Sequence, residues 1–258
     1  MNFGISTACF YPEITENAVK FLCENGTPNI EIFFNSACET KGKILNEIKS
    51  IIKANGTNVT SIHPFTSAFE PFMMFSDYER RFEDALLFCQ NYFKAANDLG
   101  AEIIVLHGDR ADRIGHDDRY IERYQKLYEL GRQNGVYIAQ ENVSRCRSRD
   151  LEFLKKMKKE LGDNVRFVLD LKQSRRSGVD YKDIVSVLSD KIIHLHLNDF
   201  DENHDCLLAG QGICDFKEVF SLIEKKTNCQ NAIIEVYREN YGDYSEIIKS
   251  LNFVKNLK

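Results

Sequence analysis

Eight short, apolar, β-branched runs separated by longer segments of helical periodicity constrain this chain more than any other feature. The runs are Phe3 to Ala8, Asn29 to Phe34, Val59 to His63, Glu102 to His107, Val136 to Glu141, Val165 to Leu171, Ile192 to Leu197 and Ala232 to Val236. Their apolar character is nearly continuous, which suits parallel strands buried on both faces better than half-exposed antiparallel ones. Between them, residues recur at helical spacing. Phe82, Ala85, Leu86, Cys89, Tyr92, Phe93, Ala96 and Leu99 fall on one stripe and predict a helix over 77–99. Ser76 and Glu79 have the spacing of a capping box at its start, and Gly100 is its stop signal; Gly135 and Gly162 close helices before the fifth and sixth strands. Eight strands in βα alternation over 258 residues read as a (β/α)₈ TIM barrel, whereas the alternative, a doubly wound open sheet, usually uses fewer strands. With four prolines and no low-complexity linker to mark a boundary, residues 1–258 are expected to form a single domain.

The balance of 34 basic against 39 acidic residues, a net charge of -5, argues against broad non-specific affinity for nucleic acid or an anionic membrane. Met1 to Phe10 lack the charged start and long apolar run of a signal peptide, and no stretch approaches a membrane span, so a cytoplasmic location is expected. Eight cysteines without CxxC spacing read as reduced, half-buried fillers.

In a TIM barrel the active site lies at the C-terminal ends of the strands, so the residues that close each run are the informative ones. Strand three ends in His63, strand four in His107, strand five in Glu141, strand six in Asp170, strand seven in His194 and His196, and strand eight in Glu235. Carboxylates converging on one axis would repel and suffer desolvation unless a cation neutralised them. A divalent metal is the economical solution. Three carboxylates and one imidazole favour Mn²⁺ or Mg²⁺ and leave Co²⁺ and Zn²⁺ open. Only one of His194 and His196 is expected to face the site, the other turning away as a packed neighbour. His63 and His107 are expected to line the pocket within reach of substrate hydroxyls, with Asn142 and Asp199 orienting the ligands from behind.

The segments Ala139-Gln140-Glu141-Asn142, Val168-Leu169-Asp170-Leu171-Lys172-Gln173, His194-Leu195-His196-Leu197-Asn198-Asp199, Gly210-Gln211-Gly212-Ile213-Cys214-Asp215-Phe216 and Ile233-Ile234-Glu235-Val236 follow one another in an order and spacing that resembles the sugar phosphate isomerase/epimerase, or xylose isomerase-like, family. That resemblance implies one divalent metal held by Glu141, Asp170, His196 and Glu235. It also implies that Glu141 and Glu235 act as the acid/base pair on a sugar, isomerising it if the proton returns to the neighbouring carbon and epimerising it if it returns to the opposite face. It makes Gly210 to Gly212 a tight turn before a helix capped by Asp215, and it allows a homo-oligomer, for which the aromatic cluster Phe65, Phe69, Phe72 and Phe75 is a candidate interface or lid.

Two departures stand out. Many relatives carry a histidine three residues after the strand-six aspartate, where this chain has Gln173, a substrate-binding candidate but a poor metal ligand. The loop Phe200 to Leu208 lacks the arginine of epimerases that act on neutral ketoses. Positive charge instead clusters at Arg145, Arg147 and Arg149 and at Lys172, Arg175 and Arg176, and from the latter group Arg175 and Arg176 are taken as candidates to grip a sugar phosphate or sugar acid. The rival readings are an endonuclease IV-like apurinic-site hydrolase, which would need more ligands for a trinuclear zinc site, and a sugar-binding barrel without chemistry, at odds with the presence of both glutamates.

Overall fold

The computed structural model describes residues 1–258. All eight apolar runs become strands: β1 Asn2–Ser6, β2 Asn29–Phe34, β3 Asn58–Pro64, β4 Ile103–Leu106, β5 Tyr137–Glu141, β6 Arg166–Asp170, β7 Ile192–Leu197 and β8 Asn231–Ile234. Every neighbouring pair is parallel and β8 pairs back onto β1, Asn2 facing Asn231 and Ile5 facing Ile234, so the sheet closes into a barrel. The helices are α1 Thr15–Glu24, α2 Gly42–Asn55, α3 Phe69–Met73, α4 Glu79–Leu99, α5 Asp117–Gln133, α6 Leu151–Leu161, α7 Leu171–Ser177, α8 Tyr181–Leu188, α9 Phe216–Lys226 and α10 Tyr244–Lys255. Two of them, α3 and α7, are short pieces in the loops that follow β3 and β6.

Side-chain alternation along each strand creates two cores. Residues such as Ile104, Leu106 and Ile138 turn outward into the main core under the helices, while Ile103, Val105, Ala139 and Val168 form a small separate cluster inside the barrel. The helices show why they bind. In α6, Phe153, Leu154, Met157 and Leu161 are buried while Lys155 and Lys159 face solvent, and each large apolar side chain so covered contributes about 1.5–3 kcal/mol. Asp150 caps this helix, accepting from the backbone N–H of Glu152 at 2.9 Å and of Phe153 at 3.4 Å.

The start of α4 differs from expectation. Its N-cap is Tyr78, which makes no side-chain cap, and the Ser76 hydroxyl accepts only from the Tyr78 N–H, at 3.3 Å. Glu79 is drawn to Arg123, 3.0 Å away, because that guanidinium is buried against the carbonyls of Met74 and Ser76 and needs a counter-charge. A tertiary charge requirement has overridden the local capping box. The other end is as expected, with Gly100 in the left-handed region at φ 75°. No helix is long and apolar enough to cross a membrane.

Candidate active site at the C-terminal mouth of the barrel

Glu141 is the last residue of β5, Asp170 the last of β6, His196 lies one residue before the end of β7, and Glu235 follows β8 directly, its N–H donating to Leu197 O at 3.0 Å. Four adjacent strands thus deliver four side chains to one point, and one ligand atom from each lies within 4.8 Å of the others. The His196 Nδ1 faces the carboxylates of Glu141 at 3.3 Å, Glu235 at 3.4 Å and Asp170 at 3.8 Å.

Asp170 and His196 are held from behind. The two oxygens of Asp170 are treated differently: Oδ1 accepts from Asn198 Nδ2 at 3.1 Å and Gln173 N–H at 3.0 Å, whereas Oδ2 is buried with no hydrogen bond and faces the ring. The Asp170 backbone is clamped on both sides by the Asn142 amide, at 2.7 and 3.1 Å. On the far side of His196, Nε2 lies 3.2 Å from Glu31 Oε2, which also accepts from the Ser61 hydroxyl at 2.8 Å. Glu70, on α3, accepts from Thr66 Oγ1 at 2.7 Å and from the Gly108 N–H at 2.5 Å, and lies 3.7 Å from His107 Nδ1. The His107 Nε2 is 3.6 Å from Glu141 and the His63 Nε2 is 3.7 Å from Glu235, so each histidine stands beside one glutamate.

Lys172 enters the ring, its ammonium 3.3 Å from both Asp170 and Glu235 and almost fully buried. Burial opposes its charge, but those two carboxylates outweigh burial and hold its pKa well above the ordinary lysine value. Asp170 moves the other way: burial, with Glu141 and Glu235 adding repulsion against the pull of Lys172, pushes its carboxyl up to about 6. Glu141 and Glu235 are held below the ordinary range, since His196 overcomes the cost of burying them. Burial and the neighbouring His107 lower the His63 pKa, while His107 itself is raised because Glu70 outweighs burial.

Above the ring opens a cavity of about 430 Å³ lined by Phe33, His63, His107, Lys172, Gln173 and Tyr237 among others, within the range that holds a small molecule. Gln173 is part of this wall, its Oε1 accepting from the Ser144 N–H at 3.0 Å and hydroxyl at 2.9 Å. Arg175 and Arg176 are not. The Arg175 Cζ lies over Phe200, 3.4 Å from the ring centroid, and Arg176 is paired with Asp205 at 2.6 Å and with the Tyr237 hydroxyl at 2.8 Å. Arg176 thus meets the cavity wall only through the Tyr237 hydroxyl.

Three further placements depart from the sequence reading. His194 does not turn away: residues two apart on a strand share a face, and His194 points inward one layer below His196, its Nε2 3.1 Å from the same Glu31 oxygen. Asp199 touches no ring member and instead organises the loop before α9, accepting from the N–H groups of Gly210, Gly212 and Cys214 at 2.9–3.0 Å. A Cβ at Gly212 would collide with Phe200 O and the Asp199 carboxylate, so that turn requires glycine. The phenylalanine cluster divides: Phe65 lines the mouth, Phe69 packs on Phe88, Phe75 is buried against Tyr120, and Phe72 is exposed. Asp215 does cap α9, through the Glu218 N–H at 3.0 Å.

Sequence reasoning missed Glu31, Glu70 and the inward path of Lys172. Glu31 had a signal, a charge inside the apolar run Asn29 to Phe34 that must find partners to be buried. Glu70 had none, as it reaches the site only through the fold of the β3 loop.

Comparison with known proteins agrees with this architecture. The closed barrel is similar to a D-tagatose 3-epimerase-like protein at 18% identity, covering 100% of this chain and 97% of that one with a TM-score of 0.81. It is also similar to a 3-keto-D-glucoside 4-epimerase from E. coli at 17% identity, with 99% of each chain covered and a TM-score of 0.78. An IOLI protein with a bound zinc atom matches at 15% identity, 100% and 98% coverage and a TM-score of 0.78. No curated protein matches the sequence significantly. A family model described as xylose isomerase-like TIM barrel matches residues 20–257, nearly the whole chain, and the protein belongs to that family.

Proposed function

We propose that this protein is a divalent-metal-dependent isomerase or epimerase of a sugar or sugar derivative, moving a proton by way of Glu141 and Glu235. The observation that carries the reading is the ring at the barrel mouth, three buried carboxylates and an imidazole brought within 4.8 Å on four adjacent strands. The residues fit a cation. With His196 as a neutral imidazole ligand, three carboxylates and the Lys172 ammonium leave two negative charges, which a divalent ion cancels. Glu141, Asp170, His196 and Glu235 would hold it, and their mostly oxygen donor set favours Mn²⁺.

When bound, such an ion polarises an α-hydroxy carbonyl and acidifies its C–H. The chain supplies the rest. Glu141 and Glu235 are held ionised, the form that abstracts a proton, and each stands beside a histidine that can fix the hydroxyls on its side of the substrate. Lys172 keeps positive charge where an oxyanion would develop. Phe33, Phe65 and Tyr237 supply the apolar walls on which a sugar ring packs. The sugar epimerases among the similar structures support a sugar as substrate, and the zinc of the IOLI protein supports a divalent ion.

The test is solvent deuterium exchange into a panel of ketoses and their derivatives by the metal-loaded protein. Exchange next to a carbonyl is expected with at least one sugar, and Glu235→Gln should slow it by roughly 100-fold or more. Wild-type exchange rates in that variant would remove the acid/base assignment.

A further inference from the structure

Beside the mouth lies a second and larger cleft, of about 940 Å³, between the loops that follow β3, β4 and β5. Its lining is unusual for a protein of net charge -5: Arg81, Arg110, Arg113 and Arg145 face a single acid, Asp77. The two cavities adjoin, with Ser67 and Arg145 lining both. Most of the charge is already committed. Arg110 pairs with Asp112, and Arg113 with Asp77 and Asp109. Arg147, the next arginine along the chain, pairs with Asp117 and Asp150. None of these ion pairs uses Arg145, which lines both cavities and shares the wall of the smaller one with His107. Arg81 also has no carboxylate and lies 4.2 Å over the exposed ring of Phe72. The backbones that carry these side chains are tied together: the Ala111 N–H donates to Arg145 O at 3.1 Å, and Arg110 and Cys146 form an antiparallel bridge between the β4 and β5 loops.

An exposed guanidinium without a carboxylate partner, at the edge of a sugar-sized pocket and in a cleft that three other arginines line, is a receptor for an oxyanion. We propose that the substrate carries a phosphate or carboxylate held by Arg145 at the entrance to this cleft, with its α-hydroxy carbonyl end at Glu141 and Glu235. This rests on the isomerase reading above for the reacting end. It assigns anion recognition to the β5 loop, not to Arg175 and Arg176. The cleft accommodates a substrate longer than a single hexose, and the exposed rings of Phe72 and Tyr78 give its far part a surface to lie on.

Two measurements test this on the metal-loaded protein. Inorganic phosphate, titrated by calorimetry, is expected to bind the wild type and the Glu235→Gln variant and to lose its binding in Arg145→Ala; no binding to the wild type, or equal binding to Arg145→Ala, overturns the proposal. In the deuterium-exchange panel, a ketose phosphate or a sugar acid is expected to exceed its neutral counterpart in kcat/KM by at least about 10-fold. Which of the two prevails identifies the anion. Arg145→Ala should collapse that preference through a roughly 10- to 100-fold rise in KM, with part of it recovered in Arg145→Lys. Equal turnover of neutral and anionic sugars overturns the proposal while leaving the isomerase reading intact. Phosphate binding through Arg145 with no exchange into any sugar supports the anion site and removes the isomerase reading instead.

Discussion

Glu31 shows how much of this site is decided one residue away from the chemistry. Its Oε2 is shared by His194, His196 and Ser61 at 2.8–3.2 Å, and the contact to His196 Nε2 is what leaves Nδ1 free to face the carboxylate ring. His196 in turn holds the Glu31 carboxyl well below its ordinary pKa against the cost of full burial. Glu31→Gln keeps the shape but removes the charge, and metal affinity measured by competition with a chromogenic chelator should fall roughly 10- to 100-fold. Unchanged affinity would mean that His196 is oriented by packing alone. Of the residues involved, Glu141, Asp170, His196 and Glu235 were legible in the sequence because each closes an apolar run. Glu31 was written as plainly, but its partners come from β3 and β7, and only barrel closure shows that a charge in β2 meets them. Lys172 looked like part of a basic rim because nothing local distinguishes it from Arg175; the turn of α7 sends one inward and the other onto Phe200.

At the scale of elements, the loops around the mouth depend on caps and ion pairs that also set stability. Asp150 serves both, capping α6 and pairing with Arg147 at 2.7 Å. Burial works against its charge, but Arg147 and the two capped N–H groups win and hold its carboxyl below the ordinary 3.8. A depressed folded pKa gives stability that is present above the unfolded value and is lost as pH falls through the folded one. Asp150→Ala should therefore cost about 1 kcal/mol at pH 7, and the gap from the wild type in urea midpoint should narrow at pH 3. A gap independent of pH would assign the loss to packing. The strands could be read to within two residues because burial on both faces leaves a continuous apolar run, and the α4 stripe was equally clear. Helix ends were less so: Asp215 caps α9 as expected, while the Ser76 and Glu79 pattern lost to the buried charge of Arg123.

At the scale of the whole molecule, parallel closure of β8 onto β1 makes strand ends into a site, since residues separated by 94 positions, Glu141 and Glu235, reach the same ring only when the barrel is complete. That convergence was visible in the sequence as a row of ligand-type residues, and the family match over residues 20–257 agrees with it. The loops were not visible in the same way. Arg145 and Arg175 sit in similar basic runs, and which one faces the mouth depends on how each loop packs across its neighbours. His63, His107 and Glu141 also lie close enough to form a second donor set, so the number of ions is a sharper question than their identity. In the loop where a larger metal cluster would need ligands, His204 is paired with Asp201 and Asp205 with Arg176, away from the ring.

The most direct measurement is the divalent metal content of the protein purified without chelator, read by elemental analysis for the wild type and for Asp170→Ala. About one ion per chain is expected, manganese being favoured by the mostly oxygen donor set, with near-complete loss in the variant. Two or three zinc ions per chain, or a metal content that Asp170→Ala leaves unchanged, would contradict this expectation.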